Sequence, residues 1–491
     1  MRLIFSGNDY KYEIEAVMKL FLPAQRFEFS FNEDKPLFAG DFALVRKARL
    51  EKYTLLCVWV SYGEKHARKS ERISPDALDK ECIVKLSQLL YLAMSEITGI
   101  TSQWGTLTGV RPVKQVHRFI DEGFSCEEIY DELEKKYLVS RKKCEKAYQT
   151  AQVQRSLLGE VSLNNKFGLY ISIPFCPTRC SYCSFISQSA SGAAVKKLIP
   201  EYVENLCAEI RYTGKIAERL SLKPNCVYFG GGTPTTLEAP FLERIMKAIA
   251  EAFDLSYVCE YTVEAGRPDT ITKEKLETLI KNGCTRISIN PQTLNDSVLE
   301  QIGRKHTAAQ FFAAFELAKG MGFRVINTDL IASLPTDSLE SFTKTIEKIL
   351  ELAPENITLH TLSIKRSSRI NEQSKSDAIV RSNASEMVDY ASKRLSESGY
   401  RPYYLYKQKN MAENLENTGW AKPGFDSIYN ILIMEELETI IALGAAGSTK
   451  LVGDGRIERI FNYKYPMDYN NNFGAMLKKK DKIEEFYAKE K

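Results

Sequence analysis

The chain has 491 residues, 44% of them hydrophobic and 26% charged, with a formal net charge of +4. That is the balance of a soluble globular protein of two or three domains, and so small a charge neither demands nor excludes a polyanionic partner. The first apolar run ("MRLIF") stops at Phe5 and no run of about 18 apolar residues occurs, which excludes a secretory leader and a membrane span and points to the cytoplasm.

In chain order, Met1 to about residue 103 alternates strand-like and helix-like stretches, as a small α+β domain would. "TLLCVWVSY" (54–62) is β-rich, and "ALDKECIVKLSQLLYLAMSEI" has helical periodicity. A turn-rich segment, "WGTLTGVRPVK", opens a linker over 104–164. Its helices "CEEIYDELEKKYL" and "RKKCEKAYQTAQVQRSLL" carry a charge pattern that reads as a solvated face.

From residue 165 to about 370 short β-rich runs alternate with helices. The runs are "LYISI" (169–173), "CVYFG" (226–230), "EYTVEA" (260–265), "RISIN" (286–290), "RVINTDLI" (324–331) and "ITLHTLS" (357–363). Such a series means a parallel sheet with helical crossovers, and six β-α units predict a partial barrel, a (β/α)6 fold short of the closed eight-stranded one. Residues 371–491 lose this rhythm. They form a mostly helical C-terminal region, with "GYRPYYLYKQ", a glycine-rich "IIALGAAGSTK", and the run Lys478 to Lys480 read as a solvated tail.

Eleven cysteines in a large chain without an export signal do not suggest a disulfide framework. Cys57, Cys226, Cys259 and Cys284 lie in or beside apolar strand-like runs and read as small buried hydrophobes. "YISIPFCPTRCSYCSF" is different, because it places Cys176, Cys180 and Cys183 in one short loop directly behind the first barrel strand. Thiolates select zinc or iron–sulfur centres. Structural zinc takes four protein ligands, usually in two pairs, whereas the next cysteine here is Cys207, on a predicted helix. A cubane 4Fe-4S cluster held by three cysteines leaves one iron open, and parallel α/β sheets bind ligands at the carboxyl ends of their strands. The triplet therefore points to a cluster ahead of zinc.

This stretch resembles the signature of the radical S-adenosylmethionine (SAM) superfamily. The resemblance implies that the open iron binds the amino and carboxylate groups of SAM. A reduced cluster would cleave SAM to a 5′-deoxyadenosyl radical, which takes a hydrogen atom from the substrate. Other strand ends agree. "YFGGGTPT" places Gly230, Gly231, Gly232 and Thr233 after the second strand, where missing side chains let backbone approach a ligand, and it resembles the loop that holds the SAM amino group. By the same resemblance Glu264 and Asp329 would bind the ribose or amino group, and Gln292 and Arg304 the polar ends of SAM. Tyr170 is the candidate catalytic and cofactor-binding tyrosine beside the cluster.

The set "LYISIPFCPTRCSYC", "GGGTPT", "TVEAGRPDT", "RISINPQT", "IGRKHT" and "NTDLIASLP" resembles the oxygen-independent coproporphyrinogen III oxidase family. "WGTLTGVRP" in the N-terminal part is similar to its HemZ-type coproporphyrinogen dehydrogenase branch. Members decarboxylate two propionates of coproporphyrinogen III to vinyl groups, giving protoporphyrinogen IX in haem biosynthesis without oxygen. The resemblance implies a 4Fe-4S cluster and SAM as cofactors, a tetrapyrrole substrate, and a low-potential electron donor such as flavodoxin or ferredoxin. Arg304, Lys305 and Arg366 are candidates to meet the substrate's carboxylates. Two positions depart from the pattern of many members: Ser172 stands where a histidine is common, and Phe185 where a further cysteine is.

Two other functions stay open. One is a haem-binding chaperone of the same superfamily, whose C-terminal His-Asn motif has here only "DSIYNILIMEELE" to match it, with no histidine after His360. The other is a radical SAM methylase or ring-opening enzyme acting on haem. With no second group of cysteines, enzymes that modify RNA or peptides are disfavoured, so no nucleic-acid partner is expected.

Overall fold

The computed structural model describes residues 1–32, 40–159, 163–185, 187–363, 383–408, 411–453 and 455–488. Its chain divides into two compact units. The first holds Met1–Ala151 and takes back Tyr406–Glu416 from the C-terminal part, and the second holds most of the rest.

In the first unit β1 (Arg2–Ser6), β2 (Glu28–Phe31), β3 (Phe42–Arg49), β4 (Thr54–Tyr62) and β5 (Lys65–Ile73) form one sheet in the order β2-β1-β3-β4-β5. β1 runs parallel to β2 and β3, while β3, β4 and β5 are antiparallel. Alternating residues of these strands, among them Leu3, Phe5, Val45 and Val58, pack one face of the sheet against the helices Lys11–Phe21 and Asp79–Thr98, whose Ile14, Met18, Leu86 and Leu90 are buried.

The helices Cys126–Tyr137 and Arg141–Gly159 follow. The sequence suggests a solvated charged face for the second, but that face is partly buried. Lys143 and Lys146 are buried, their Nζ atoms 2.7 and 2.8 Å from Glu416 Oε1, and Trp104 Nε1 donates to Glu416 Oε2 at 2.7 Å. Against the burial that pushes it up, the two ammonium groups hold the Glu416 carboxyl far below the ordinary carboxylate range. Sequence periodicity cannot reveal such a pair because the partner is hundreds of residues away.

Among the described residues the second unit is built on an 11-stranded sheet. Six parallel strands occur in chain order: β6 (Lys166–Ile173), β9 (Lys223–Gly231), β10 (Glu260–Glu264), β11 (Arg286–Ser288), β12 (Val325–Ala332) and β13 (Asn356–Thr361). Between β6 and β9 lies a small parallel pair, β7 (Phe175–Cys176) and β8 (Gln188–Ser189). Helices connect the parallel strands, as right-handed crossovers require. The first of them, Ala193–Arg219, starts before Pro200 and runs through it.

The C-terminal region combines helices with strands that extend the sheet at both edges. β14 (Arg401–Tyr406) and β15 (Asn417–Ala421) lie beyond β13, β15 antiparallel to it. At the other edge β16 (Thr439–Leu443) runs parallel to β6, and β17 (Ser448–Gly453) and β18 (Arg456–Phe461) follow it antiparallel. The run Lys478 to Lys480 is not simply a solvated tail. Lys480 is fully buried, 3.0 Å from Glu209 Oε1 and donating to Ala442 O at 2.6 Å. Cys57, Cys226 and Cys284 are buried as expected, but Cys259 is exposed, because it lies before β10 begins.

Candidate functional site

The cysteine loop hangs from the end of β6. Gln188 N donates to Pro174 O and Ala190 N to Cys176 O, both at 2.8 Å, which ties β7 to β8 and closes the loop. Ser181 N donates to Ile302 O at 2.9 Å, fixing its middle. Cys180 is buried, while Cys176 and Cys183 are partly exposed. Burial pushes the Cys176 thiol up and the Cys183 thiol up to about 11, which opposes thiolate formation. Among the donors that face the sulfurs, Thr233 Oγ1 is 3.6 Å from Cys176 Sγ and Arg267 Nη1 is 3.9 Å from Cys180 Sγ. Among the described residues no three His, Cys, Asp or Glu side chains converge on a single ion. A cubane needs no such convergence, because each thiolate meets its own iron.

The glycines after β9 lie against this loop. Gly231 has φ 106°, and a Cβ on Gly232 would come within 2.5 Å of Phe175 O. Only glycine fits, leaving bare backbone beside the cysteine loop. Gly232 N donates to Ile173 O and Thr233 N to Phe175 O, both at 2.7 Å.

Inside the barrel Glu264, at the end of β10, accepts a hydrogen bond from Tyr228 Oη at 2.6 Å. Burial raises its carboxyl to about 7; Tyr228 opposes the shift and Asp329 adds to it. Asp329 on β12 accepts from Asn290 Nδ2 and Asn327 Nδ2, both at 2.8 Å, and His360 Nε2 is 3.6 Å away. Burial alone would raise Asp329, but His360 and Asn327 outweigh it and hold the carboxyl below its ordinary value. Asn290 links this group to Arg304, whose Nη1 donates to Asn290 O at 2.6 Å and Gly266 O at 3.0 Å. Arg304 Nε reaches Tyr182 Oη, inside the cysteine loop, at 3.2 Å. Gln292, at φ 70°, donates its N–H to Asp329 O at 3.0 Å, while its buried Oε1 has no hydrogen-bond partner among the described residues. Tyr170 stacks on Tyr228 at 6.1 Å, and Tyr228 on Tyr429 at 4.4 Å.

The glycine backbone, the orphaned Gln292 oxygen and the acid pair Glu264 and Asp329 fit a polar cofactor carrying amino and hydroxyl groups. Lys305 is exposed; Arg366 lies outside the described residues. Sequence reading missed Tyr228, Asn290, His360, Tyr182 and Arg267. Strand alternation could have found Tyr228, two residues before Gly230, and "CSYC" contains Tyr182.

The Radical SAM superfamily model matches residues 170–349. The oxygen-independent coproporphyrinogen-III oxidase-like protein HemZ of Bacillus subtilis is 37% identical over 426 residues, 85% of each chain. The chain belongs to this oxygen-independent coproporphyrinogen-III oxidase-like family. The family is a radical SAM one, with a 4Fe-4S cluster and SAM as cofactors, and the chain is a radical SAM oxidoreductase. The heme chaperone HemW of Lactococcus lactis is 33% identical over 287 residues, covering 58% of this chain and 69% of its own. The solved structure of coproporphyrinogen III oxidase (HemN) from Escherichia coli superimposes with a TM-score of 0.52 at 22% identity, over 66% of this chain and 73% of that one, and shows the shared fold. No helix among the described residues is long and apolar enough to cross a membrane.

Proposed function

We propose that this protein oxidatively decarboxylates propionates of coproporphyrinogen III to vinyl groups, giving protoporphyrinogen IX. The observation that carries the reading is the 85% mutual coverage with the HemZ-type relative, which takes in more than the radical SAM domain. Each propionate would lose a β-hydrogen atom, then carbon dioxide and one electron to a one-electron carrier, as the C–C bond breaks and the C=C bond forms. A low-potential flavodoxin or ferredoxin would reduce the cluster, in the cytoplasm.

Cys176, Cys180 and Cys183 would hold the cluster as thiolates, with Thr233 Oγ1 and Arg267 Nη1 as donors facing two of the sulfurs. Gly231, Gly232, Thr233, Glu264, Gln292, Arg304 and Asp329 would hold SAM, with Tyr170 beside the cluster. Bound together, the cluster and SAM supply hydrogen-atom abstraction; the protein positions the substrate carbon and excludes water. Tyr228 keeps the Glu264 carboxylate oriented, and Asn290 ties Asp329 to Arg304, so the residues on different strands act as one rigid rim.

The HemW matches favour haem binding as a second reading. Tyr429, the tyrosine of the segment comparable to the chaperone motif, is buried and stacked on Tyr228 and is not available to an iron. The test is anaerobic reconstitution with the cluster, followed by mass spectrometry after incubation with coproporphyrinogen III and, separately, with haem. A product two carboxylates poorer supports the proposal. SAM cleavage only with haem, or tight haem binding without turnover of either, refutes it in favour of the haem-modifying enzyme or the chaperone.

A further inference from the structure

The opposite end of the barrel carries a second pair of thiols, remote from the cysteine loop. Cys226 lies in β9, fully buried among Tyr429, Leu432 and Ile440, whereas Cys259 precedes β10 and is exposed. The parallel register sets Cys226 opposite Glu260, so Cys259 is its diagonal neighbour. Cys259 N donates to Asn225 O at 2.9 Å, which locks the two backbones side by side. The two sulfurs are 3.9 Å apart. A disulfide needs about 2.05 Å, so forming one would bring the two sulfurs closer still.

The two thiols differ as an attacking and a resolving cysteine must. The hydrogen bond with Cys226 holds the Cys259 thiol below its ordinary value, while the same contact and burial push Cys226 up. Cys259 also borders a surface cleft lined by Leu255, Val258, Tyr261 and Asn282, which gives a small molecule access to it but not to Cys226.

We propose that Cys226 and Cys259 form a thiol–disulfide site that reacts with a low-molecular-weight disulfide of the glutathione type. The Cys259 thiolate attacks one sulfur of the small disulfide, whose S–S bond breaks, and the first small thiolate leaves and is protonated. Cys226 then attacks Cys259 Sγ in the mixed disulfide, and the second small thiolate leaves with the proton that Cys226 gives up. The protein pair loses two electrons and two protons in forming one disulfide, and the small disulfide gains them as two thiols.

The test treats the reconstituted enzyme anaerobically with oxidised glutathione, unfolds it in denaturant with iodoacetamide to block every remaining thiol, and maps the peptides. Cys226 and Cys259 should escape alkylation and appear as one linked peptide about 2 Da lighter than the two reduced peptides together, with iron content unchanged. Cys226→Ser should trap Cys259 as a stable glutathione adduct, and Cys259→Ser should leave Cys226 without one. Full alkylation of both cysteines after treatment, or a glutathione adduct on Cys226 in Cys259→Ser, would overturn the assignment.

Discussion

Tyr228 donates its phenolic hydrogen to Glu264 Oε1 across 2.6 Å, from one barrel strand to the next. Its ring is held between Tyr170 and Tyr429, so the donor cannot swing away. The bond both orients a carboxylate and opposes the burial that raises its pKa to about 7.

Tyr228→Phe keeps the stacked ring and removes the donor. Glu264 should then take up its proton at higher pH than in the parent protein. Near neutral pH, SAM affinity should fall by roughly tenfold, the worth of one hydrogen bond to a charged group. The deficit should shrink as pH rises. Equilibrium SAM binding at several pH values checks this; a constant affinity ratio would remove Tyr228 from the positioning of Glu264.

Glu264 also makes the cofactor-free protein less stable at higher pH. Its carboxyl moves from an ordinary 4.5 to about 7 on folding. Between those values the folded chain holds a proton that the unfolded chain has released, so stability falls as pH rises through the window and stays low above it. Glu264→Gln should therefore gain on the order of 3 kcal/mol over the parent at about pH 8 and little at about pH 4. Denaturant unfolding at the two pH values reads the difference. An equal effect at both would contradict the shift.

In the first unit, Glu416→Ala would strand Lys143 and Lys146 without their carboxylate and Trp104 Nε1 without its acceptor. Removing one partner from such a buried group costs about 3–5 kcal/mol. Thermal or denaturant unfolding followed by tryptophan fluorescence should show it, and a loss below about 1 kcal/mol would mean the lysines relax to water.

Replacing Cys176, Cys180 or Cys183 by Ala should abolish the iron–sulfur absorption and leave the far-UV circular dichroism unchanged, since the barrel core lies elsewhere. Arg304→Ala should keep the iron but lose 5′-deoxyadenosine formation. A triple cysteine variant that still holds about four irons per chain would contradict the ligand set.

The parallel strands were legible because each is a short apolar run buried on both faces, and the cysteine spacing pointed to the cluster chemistry. "RISIN" overran its strand by two residues: Asn290 leaves the ladder, turning its side chain to Ser288 Oγ and Asp329. The helix from Ala193 is hard to read in its first turns, since Pro200 and the polar "KK" before it hide the helical signal. Lys143, Lys146 and Lys480 were invisible as buried charges because burial of an ion depends on a partner far along the chain. Tyr228 and Asn290 escaped for a related reason. Their roles come from what adjacent strands place beside them, which strand order decides and local sequence does not. Ser172 likewise finds its partner outside its own segment, donating to Ala445 O at 2.6 Å.

Deuterium transfer tests the proposed reaction most directly. Coproporphyrinogen III labelled at the propionate β-carbons is incubated with the reduced, reconstituted enzyme and SAM, and the 5′-deoxyadenosine formed is weighed by mass spectrometry. If this site abstracts the β-hydrogen, the nucleoside carries one deuterium for each propionate lost, and the porphyrinogen product is poorer by carbon dioxide in step. Unlabelled 5′-deoxyadenosine, or labelled substrate recovered intact while SAM is consumed, would contradict it.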